Sequence, residues 1–326
     1  MTDVVATTLG LLPGPPETDG VVTTGDADGT VPNAVDVAPA DATLVERVLG
    51  WQREAGLDRL TTGQPGWRDG LASPLLAAAG VDAVSTGADG DSSRNRHRNR
   101  RPRLTGDPDP IAGLDPALDD VAGSVDVPLL AVVPGPYTLA TLAVGNREPD
   151  ALLTAITDWL SESVARDPTV ETAVIHEPAL VRRPPPDGVD ARASEAIDRI
   201  SKSLDATVLV HLAGGAPTEK VYAHLLDADF DAVGFDLTAD PEGCLYLANE
   251  YGTTDAVGLG VIDAAAPIDG DLLDERVRWW LDNTPAATFR QVFATPGDGL
   301  GRSDPDDVGA VLSALGAVDR FDTAVR

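Results

Sequence analysis

The sequence is poor in cysteine and has no long hydrophobic segment. Its 326 residues include a single cysteine, Cys244, which excludes an intramolecular disulfide and a metal cage built from cysteines alone. No apolar run approaches the roughly 20 residues that a membrane-spanning helix needs, so we do not expect a membrane protein. The N-terminal residues also lack the basic and apolar stretches of a secretory signal. These absences predict a cytoplasmic protein.

Lysine and aromatic residues are scarce, whereas acidic residues are abundant. The chain has 53 acidic and 24 basic residues, a formal net charge of -29 and 4% aromatic residues, and only Lys202 and Lys220 are lysines. Such a surface suits molar salt, where the Debye length falls to about 3 Å and self-repulsion is screened. We therefore expect a halophilic protein. A nucleic-acid partner is not expected, because phosphate binding needs a basic face.

One segment departs from this charge balance, since residues 94–103 contain six arginines. A charge run of this kind is usually a solvated loop. The alternative is a site for a polyanion, such as a polyglutamyl tail or a phosphate, because arginine binds carboxylates through two parallel hydrogen bonds. The sequence leaves both interpretations open.

The rest of the chain alternates between short aliphatic runs and longer amphipathic stretches. No glycine-rich nucleotide fingerprint follows any of the runs. Eight such units predict an α/β fold of the (β/α)8 TIM barrel type, as a single domain over residues 1–326 with loop insertions at 14–41 and 88–106. The predicted strands are 4–9, 59–62, 129–133, 172–176, 207–212, 232–236, 256–262 and 289–294, and the predicted helices are 42–55, 69–79, 151–165, 191–204, 218–226, 242–251, 271–282 and 304–315.

Polar residues follow these predicted strands, at the end where barrel enzymes carry their active sites. Two of the four histidines, His176 and His211, end neighbouring strands. His211, Asp236 and Asp298 end three strands, and one histidine with two carboxylates suits zinc, manganese or iron. The alternative is that these residues are structural, since acidic residues often serve turns and helix caps.

The motifs at these positions resemble those of the cobalamin-independent methionine synthases, in their catalytic-type barrel. The resemblance is collinear over residues 7–302. It covers TTLG at 7–10, WQREAGLD at 51–58 with TGQ at 62–64, VPGPYTL at 133–139, IHEPAL at 175–180, GVID at 260–263 and PGDGL at 296–300.

The resemblance implies methyl transfer from a 5-methyltetrahydrofolate-type donor to the homocysteine thiol, which the family activates on zinc. It implies catalytic roles for His176 and Glu177, and it implies that Gln64, Gly135, Tyr137 and Thr138 bind substrate.

The implied zinc ligands are altered in this chain. His211 matches the family's histidine, but Ala213, Asp236 and Asp298 stand where the family has Cys, Glu and Cys. His176 replaces the Asp that takes the substrate ammonium, and Gln64 replaces a Glu. Zinc is thus expected from the resemblance, although with a degraded ligand set.

Three hypotheses follow. The first is a methyltransferase with a metal held by His211, Asp236 and Asp298. The second is a non-catalytic subunit that pairs with a homologous chain bearing the intact zinc site. The third is a tetrapyrrole or corrinoid binder similar to the uroporphyrinogen decarboxylases, in which the arginines meet propionate groups.

Overall fold

The computed structural model describes residues 3–13, 42–85, 100–167, 170–266, 268–285, 289–301 and 303–318. The predicted insertion at 14–41 and most of the predicted insertion at 88–106, including Arg94, Arg96 and Arg98, lie outside the described residues.

Seven parallel strands form one curled sheet in the order β1-β9-β8-β7-β6-β5-β4. Almost every residue in them is buried, because the strands are aliphatic runs without polar alternation and need cover on both faces. β2 and β3 form a separate antiparallel pair. The strands are β1 (Asp3–Ala6), β2 (Val81–Ser85), β3 (Arg100–Leu104), β4 (Leu130–Pro134), β5 (Thr172–His176), β6 (Thr207–Leu212), β7 (Ala232–Asp236), β8 (Ala256–Ile262) and β9 (Gln291–Pro296).

Amphipathic helices pack against this sheet. α10, for example, buries Leu273, Val277 and Trp280, which share one helical face. The helices are α1 (Ala42–Glu54), α2 (Ser73–Leu76), α3 (Pro116–Val121), α4 (Pro136–Leu142), α5 (Pro149–Val164), α6 (Ala179–Arg182), α7 (Val189–Ser201), α8 (Glu219–Leu225), α9 (Pro241–Tyr251), α10 (Gly270–Asn283) and α11 (Pro305–Gly316). The helix predicted at 69–79 is a short 3₁₀ turn followed by α2. None of the described helices has the length and apolar character needed to cross a membrane.

The strand predicted at 59–62 is reduced to one parallel bridge, between Leu60 and Leu129. It lies between the two edges of the sheet. The Asp58 N–H donates to the carbonyl of Ala6, the last residue of β1 (2.9 Å), and the Leu130 N–H of β4 donates to the Leu60 carbonyl (2.8 Å). The Gln52 side chain explains the missing ladder. Its amide accepts from the Thr61 N–H (3.1 Å) and donates to the Thr61 carbonyl (2.7 Å), so both backbone groups are taken.

Candidate functional site

The carboxyl ends of the strands bring four of the predicted site residues together. His176 on β5 and His211 on β6 are direct neighbours in the strand register. Their rings meet edge to face with centroids 5.9 Å apart, and both side chains are buried. Asp236 ends β7, and Asp298 follows β9. The sequence analysis therefore located a real cluster of polar side chains.

Asp298 lies between a histidine and an arginine. Its Oδ1 is 3.2 Å from His176 Nε2 and its Oδ2 is 2.5 Å from Arg182 Nη2. Partial burial by itself raises the pKa of the Asp298 carboxyl, but the His176 ring and the Arg182 guanidinium outweigh it and hold this pKa well below its usual range. Asp298 is thus a carboxylate whose charge is matched within the chain.

Sequence reasoning missed Arg182, which ends α6 and is half-exposed. Its position in the sequence was the available signal. Arg182 follows the Glu177-Pro178 pair by one helical turn, so its side chain lies on the face that returns to the carboxyl ends of the strands.

His211 is directed at the backbone of the loop after β9. Burial, together with the neighbouring His176, lowers the pKa of His211 to about 4, so its ring is neutral near pH 7. Its Nε2 lies 3.0 Å from the Gly297 carbonyl, which requires the ring proton on Nε2. Its Nδ1 carries the lone pair and lies against Gly234, where an added Cβ would be 2.6 Å away. The nitrogen that would otherwise bind a metal on the loop side is therefore a donor to the backbone.

The Asp236 carboxylate accepts hydrogen bonds from two loops. Its Oδ2 accepts from the Gly214 N–H (2.9 Å), and its Oδ1 accepts from the Thr238 N–H (3.0 Å) and hydroxyl (2.5 Å). Ala213, which follows His211 by two residues, is buried and has no donor atom in its side chain.

The zinc ion that the resemblance implies does not fit this donor set. His211 donates to a carbonyl, Asp236 accepts three hydrogen bonds, and Asp298 is paired with Arg182. In the part of the chain that the structure describes, no group of three His, Cys, Asp or Glu side chains is placed to hold a metal.

Glu177 holds the start of α4. Its Oε2 accepts from the Tyr137 N–H (2.9 Å), and its Oε1 accepts from the Thr138 N–H (2.7 Å) and from the Thr138 hydroxyl. The Thr138 oxygen in turn accepts from the Ala179 N–H at 3.1 Å. Two otherwise free N–H groups at a helix N-terminus are satisfied in this way. The best-preserved motifs of the sequence thus form a structural cap on α4.

The Glu177 cap predicts a pH-dependent stability. Burial raises the pKa of Glu177 to about 7, although the Thr138 and Tyr137 donors counter part of the shift. This folded-state pKa exceeds the ordinary glutamate value of 4.5, so the folded chain binds an extra proton between these pH values. The Glu177 contribution to stability therefore falls as the pH rises from about 4.5 to 7. The glutamine variant Glu177→Gln cannot ionise. Its stability deficit relative to the unaltered chain should therefore shrink by on the order of 3 kcal/mol between pH 5 and pH 8, at about 1.4 kcal/mol per pKa unit.

Urea unfolding of both proteins at the two pH values measures this difference. Titration of His211 and Asp167 cancels, because both proteins contain these groups. A deficit that is equal at pH 5 and pH 8 would show that Glu177 titrates as it does in the unfolded chain.

Gln64 is a connector between loops. Its Oε1 accepts from the Leu11 N–H (2.9 Å), and its Nε2 donates to the Thr62 hydroxyl (3.1 Å) and to Asp115 Oδ2 (3.3 Å). Asp115 also accepts from Thr62 and caps α3 through Ala117. Glutamine suits this position, because a glutamate here would place two carboxylates side by side.

The Tyr137 and Trp67 side chains near the site are buried and hydrogen-bonded within the chain. Tyr137 donates its hydroxyl to the Arg183 carbonyl (3.0 Å), and Trp67 donates to the Leu114 carbonyl (3.1 Å).

Two of the described arginines of the 94–103 segment are paired with carboxylates, Arg100 with Asp69 and Arg103 with Asp82.

Comparison with solved structures identifies similar folds. A B12-independent methionine synthase from a Shewanella species, solved in complex with selenomethionine, matches with a TM-score of 0.72 and 17% identity, over 97% of this chain and 96% of that chain. A protein from Listeria monocytogenes, named as a candidate vitamin-B12-independent methionine synthase, matches with a TM-score of 0.57 and 15% identity, over 84% and 85% of the two chains. At these identities the likeness is one of fold. No protein-family model matches the chain, and no curated protein matches it significantly.

Proposed function

We propose that this chain is a methionine-synthase-like barrel that does not bind zinc by itself and acts as the non-catalytic partner of a homologous chain with an intact zinc site. The observation that carries the proposal is the hydrogen bond from His211 Nε2 to the Gly297 carbonyl at 3.0 Å. It occupies the one ligand atom that the resemblance preserves. The Asp236 and Asp298 carboxylates are engaged as well.

The division between motif residues that match the family and motif residues that differ from it supports the same proposal. Gly135, Thr138 and Glu177, which match the family motifs, hold the start of α4. The positions that the resemblance implies for zinc and for the substrate ammonium are changed. A chain that keeps the fold but not the metal chemistry is expected to show this division.

We also infer that segment 58–62 completes an eight-unit barrel, since its hydrogen bonds reach both edges of the sheet. The net charge of -29 supports a cytoplasmic protein in molar salt.

A second candidate function is a methyltransferase with a rebuilt centre. The contact of His176 with Asp298 at 3.2 Å favours it, because a histidine beside a carboxylate is a common acid-base pair. In that case homocysteine and a methyl-folate would be substrates of this chain alone.

Metal content and activity separate the two candidates. We expect the protein, purified in molar salt without a histidine tag, to contain less than about 0.1 zinc per chain and to show no methyl transfer from 5-methyltetrahydrofolate to homocysteine. Activity should appear on mixing with a homologous chain from the same source that carries the intact ligand set. About one zinc per chain, lost in His211→Ala, or methyl transfer by this chain alone would refute the partner role.

A further inference from the structure

We propose that Tyr246 and Tyr251, together with the Glu219 carboxylate that both hydroxyl groups contact, form a docking face for an arginine side chain of a partner protein. These three residues are called the tyrosine face below. The inference goes beyond the proposed function, because it concerns the outer surface of α8 and α9 rather than the carboxyl ends of the strands. The exposure of the two rings, the contacts that hold them and the charge around them support it.

Exposed aromatic rings are unusual in this chain. Only four of its 326 residues are tyrosines. The described residues expose three large hydrophobic side chains, Tyr246 at 47%, Tyr251 at 40% and Leu272 at 37%, and both tyrosines belong to α9. Tyrosine is enriched in protein interfaces, because its ring buries a large apolar area while its hydroxyl stays hydrogen-bonded. The pair is therefore a candidate contact surface.

The two rings are held in place before a partner binds. Tyr246 donates its hydroxyl to Glu219 Oε1, and Tyr251 donates its hydroxyl to Glu219 Oε2, each at 2.8 Å. The Tyr251 ring also packs edge to face on Tyr222, with centroids 6.3 Å apart. Tyr222 is fully buried, and its hydroxyl donates to the Gly252 carbonyl (2.8 Å). Rings that are already ordered lose little conformational entropy when a partner binds.

The charge beside the rings is negative. The Tyr246 and Tyr251 hydroxyls lower the pKa of the Glu219 carboxyl, so Glu219 is ionised near neutral pH. Glu250 is exposed, follows Tyr246 by one helical turn and directly precedes Tyr251, so it adds a second negative charge. An anionic partner would be repelled by these carboxylates.

The neighbouring lysine does not neutralise this charge. Lys220 follows Glu219 in the sequence, but its ammonium lies 2.7 Å from an Asp187 oxygen and 2.7 Å from an Asp190 oxygen. A purely apolar partner would thus cover the Glu219 carboxylate without a counter-charge, which is costly. The face is complementary to a partner that brings a cation.

Arginine is the cation that suits the tyrosine face best. Its guanidinium is planar, stacks on aromatic rings and donates two parallel hydrogen bonds to a carboxylate, whereas the lysine ammonium is a compact and strongly hydrated charge. In the molar salt inferred above, attraction is screened beyond about 3 Å, so recognition has to come from direct contact. Small molecules bind mostly in concave sites. Since the tyrosine face lies on the outer side of two helices, we assign the arginine to a protein.

Three peptides test the ligand class, namely acetyl-Gly-Arg-Gly-amide and its citrulline and lysine counterparts. They are titrated in molar potassium chloride into the full chain with ¹³C-labelled tyrosine rings, and the tyrosine signals are followed by NMR. We expect the arginine peptide to shift Tyr246 and Tyr251 saturably. Citrulline has nearly the same shape without the charge and should bind at least about tenfold more weakly. The lysine peptide should also bind more weakly than the arginine peptide. The buried Tyr137 on α4 is the internal control.

Variants of the tyrosine face separate the ring from the charge. Tyr246→Ala should weaken binding of the arginine peptide at least about fivefold, whereas Tyr246→Phe, which retains the ring, should weaken it less. Glu219→Gln should reduce the preference for arginine over citrulline to below about threefold. The peptide series on the unaltered chain does not depend on any variant folding.

The proposal is overturned if the arginine peptide gives no saturable shift of Tyr246 and Tyr251, or if the citrulline or lysine peptide binds equally well. Sedimentation of the chain alone tests whether the occupant is a second copy. We expect the sedimentation coefficient to be the same for the unaltered chain and for Tyr246→Ala. Self-association that is lost in Tyr246→Ala would assign the face to a second copy and would also overturn the proposal.

Discussion

Gly135→Ala is expected to destabilise the protein by at least about 3 kcal/mol, although it adds a single methyl group. A Cβ at this position would lie 2.2 Å from Glu177 Oε2 and 2.9 Å from the Glu177 Cα. Glu177 cannot move away, since its carboxylate is held by the Tyr137 and Thr138 backbone N–H groups. The backbone of Gly135, at φ -64° and ψ 138°, is open to alanine. The cost is therefore purely steric.

Gly50→Ala is the matched control for this substitution. Gly50 lies inside α1, and a Cβ there would meet nothing within 4 Å. Alanine should stabilise that helix by about 0.5–1 kcal/mol. Urea unfolding of the two variants measures both effects, and a double-mutant cycle with Glu177→Ala assigns the first one to the clash. If Gly135→Ala costs the same with and without the Glu177 side chain, the approach to the Glu177 carboxylate is not its cause, since Glu177→Ala retains only the approach to the Glu177 Cα.

Strand positions were predictable wherever packing alone decides the structure. β5, β6, β7 and β8 begin and end at the predicted residues, because each is an aliphatic run that pairs with a parallel strand on both sides. The pair β2 and β3 was missed, since Arg100 and Arg103 dominate β3 and are matched by carboxylates rather than by an apolar face. The strand predicted at 59–62 was overestimated, because the Gln52 side chain takes the Thr61 backbone groups.

The candidate site was predictable in its position but not in its contacts. Parallel strands deliver their carboxyl ends to one edge, so His176, His211, Asp236 and Asp298 meet there as expected. Two of their partners, however, are backbone groups of residues far away in the sequence, namely the Gly297 carbonyl at His211 and the Gly214 N–H at Asp236. Backbone groups carry no mark in the sequence. The meeting of these side chains at one edge of the sheet was therefore predictable, whereas the hydrogen bonds that occupy them were not.

Restoring the implied ligands should convert the chain into a zinc protein. We expect the triple variant Ala213→Cys, Asp236→Glu and Asp298→Cys to retain about one zinc per chain, against less than about 0.1 for the unaltered protein. Loss of the Asp298 carboxylate breaks its contacts with Arg182 and His176. Two thiolates would then offer the soft ligands that zinc prefers over the present oxygen atoms.

The energetic balance of this variant favours binding. His211 would have to exchange its hydrogen bond to Gly297 for the metal, and the loops would lose the three hydrogen bonds that Asp236 accepts. A net hydrogen bond contributes about 1 kcal/mol, whereas structural zinc sites bind with about 10–16 kcal/mol at pH 7. The metal gain therefore exceeds the loss.

Mass spectrometry of the purified triple variant measures the zinc, and a thermal melt confirms that it is folded. The same variant with His211→Ala should lose the metal. A folded triple variant without zinc would show that these four positions do not correspond to the family's ligands.

Zinc without methyl transfer is the result we expect, because His176 still stands where the resemblance implies an ammonium-binding carboxylate. The metal and the substrate anchor would then be separate losses in this chain, each of which can be restored and measured independently.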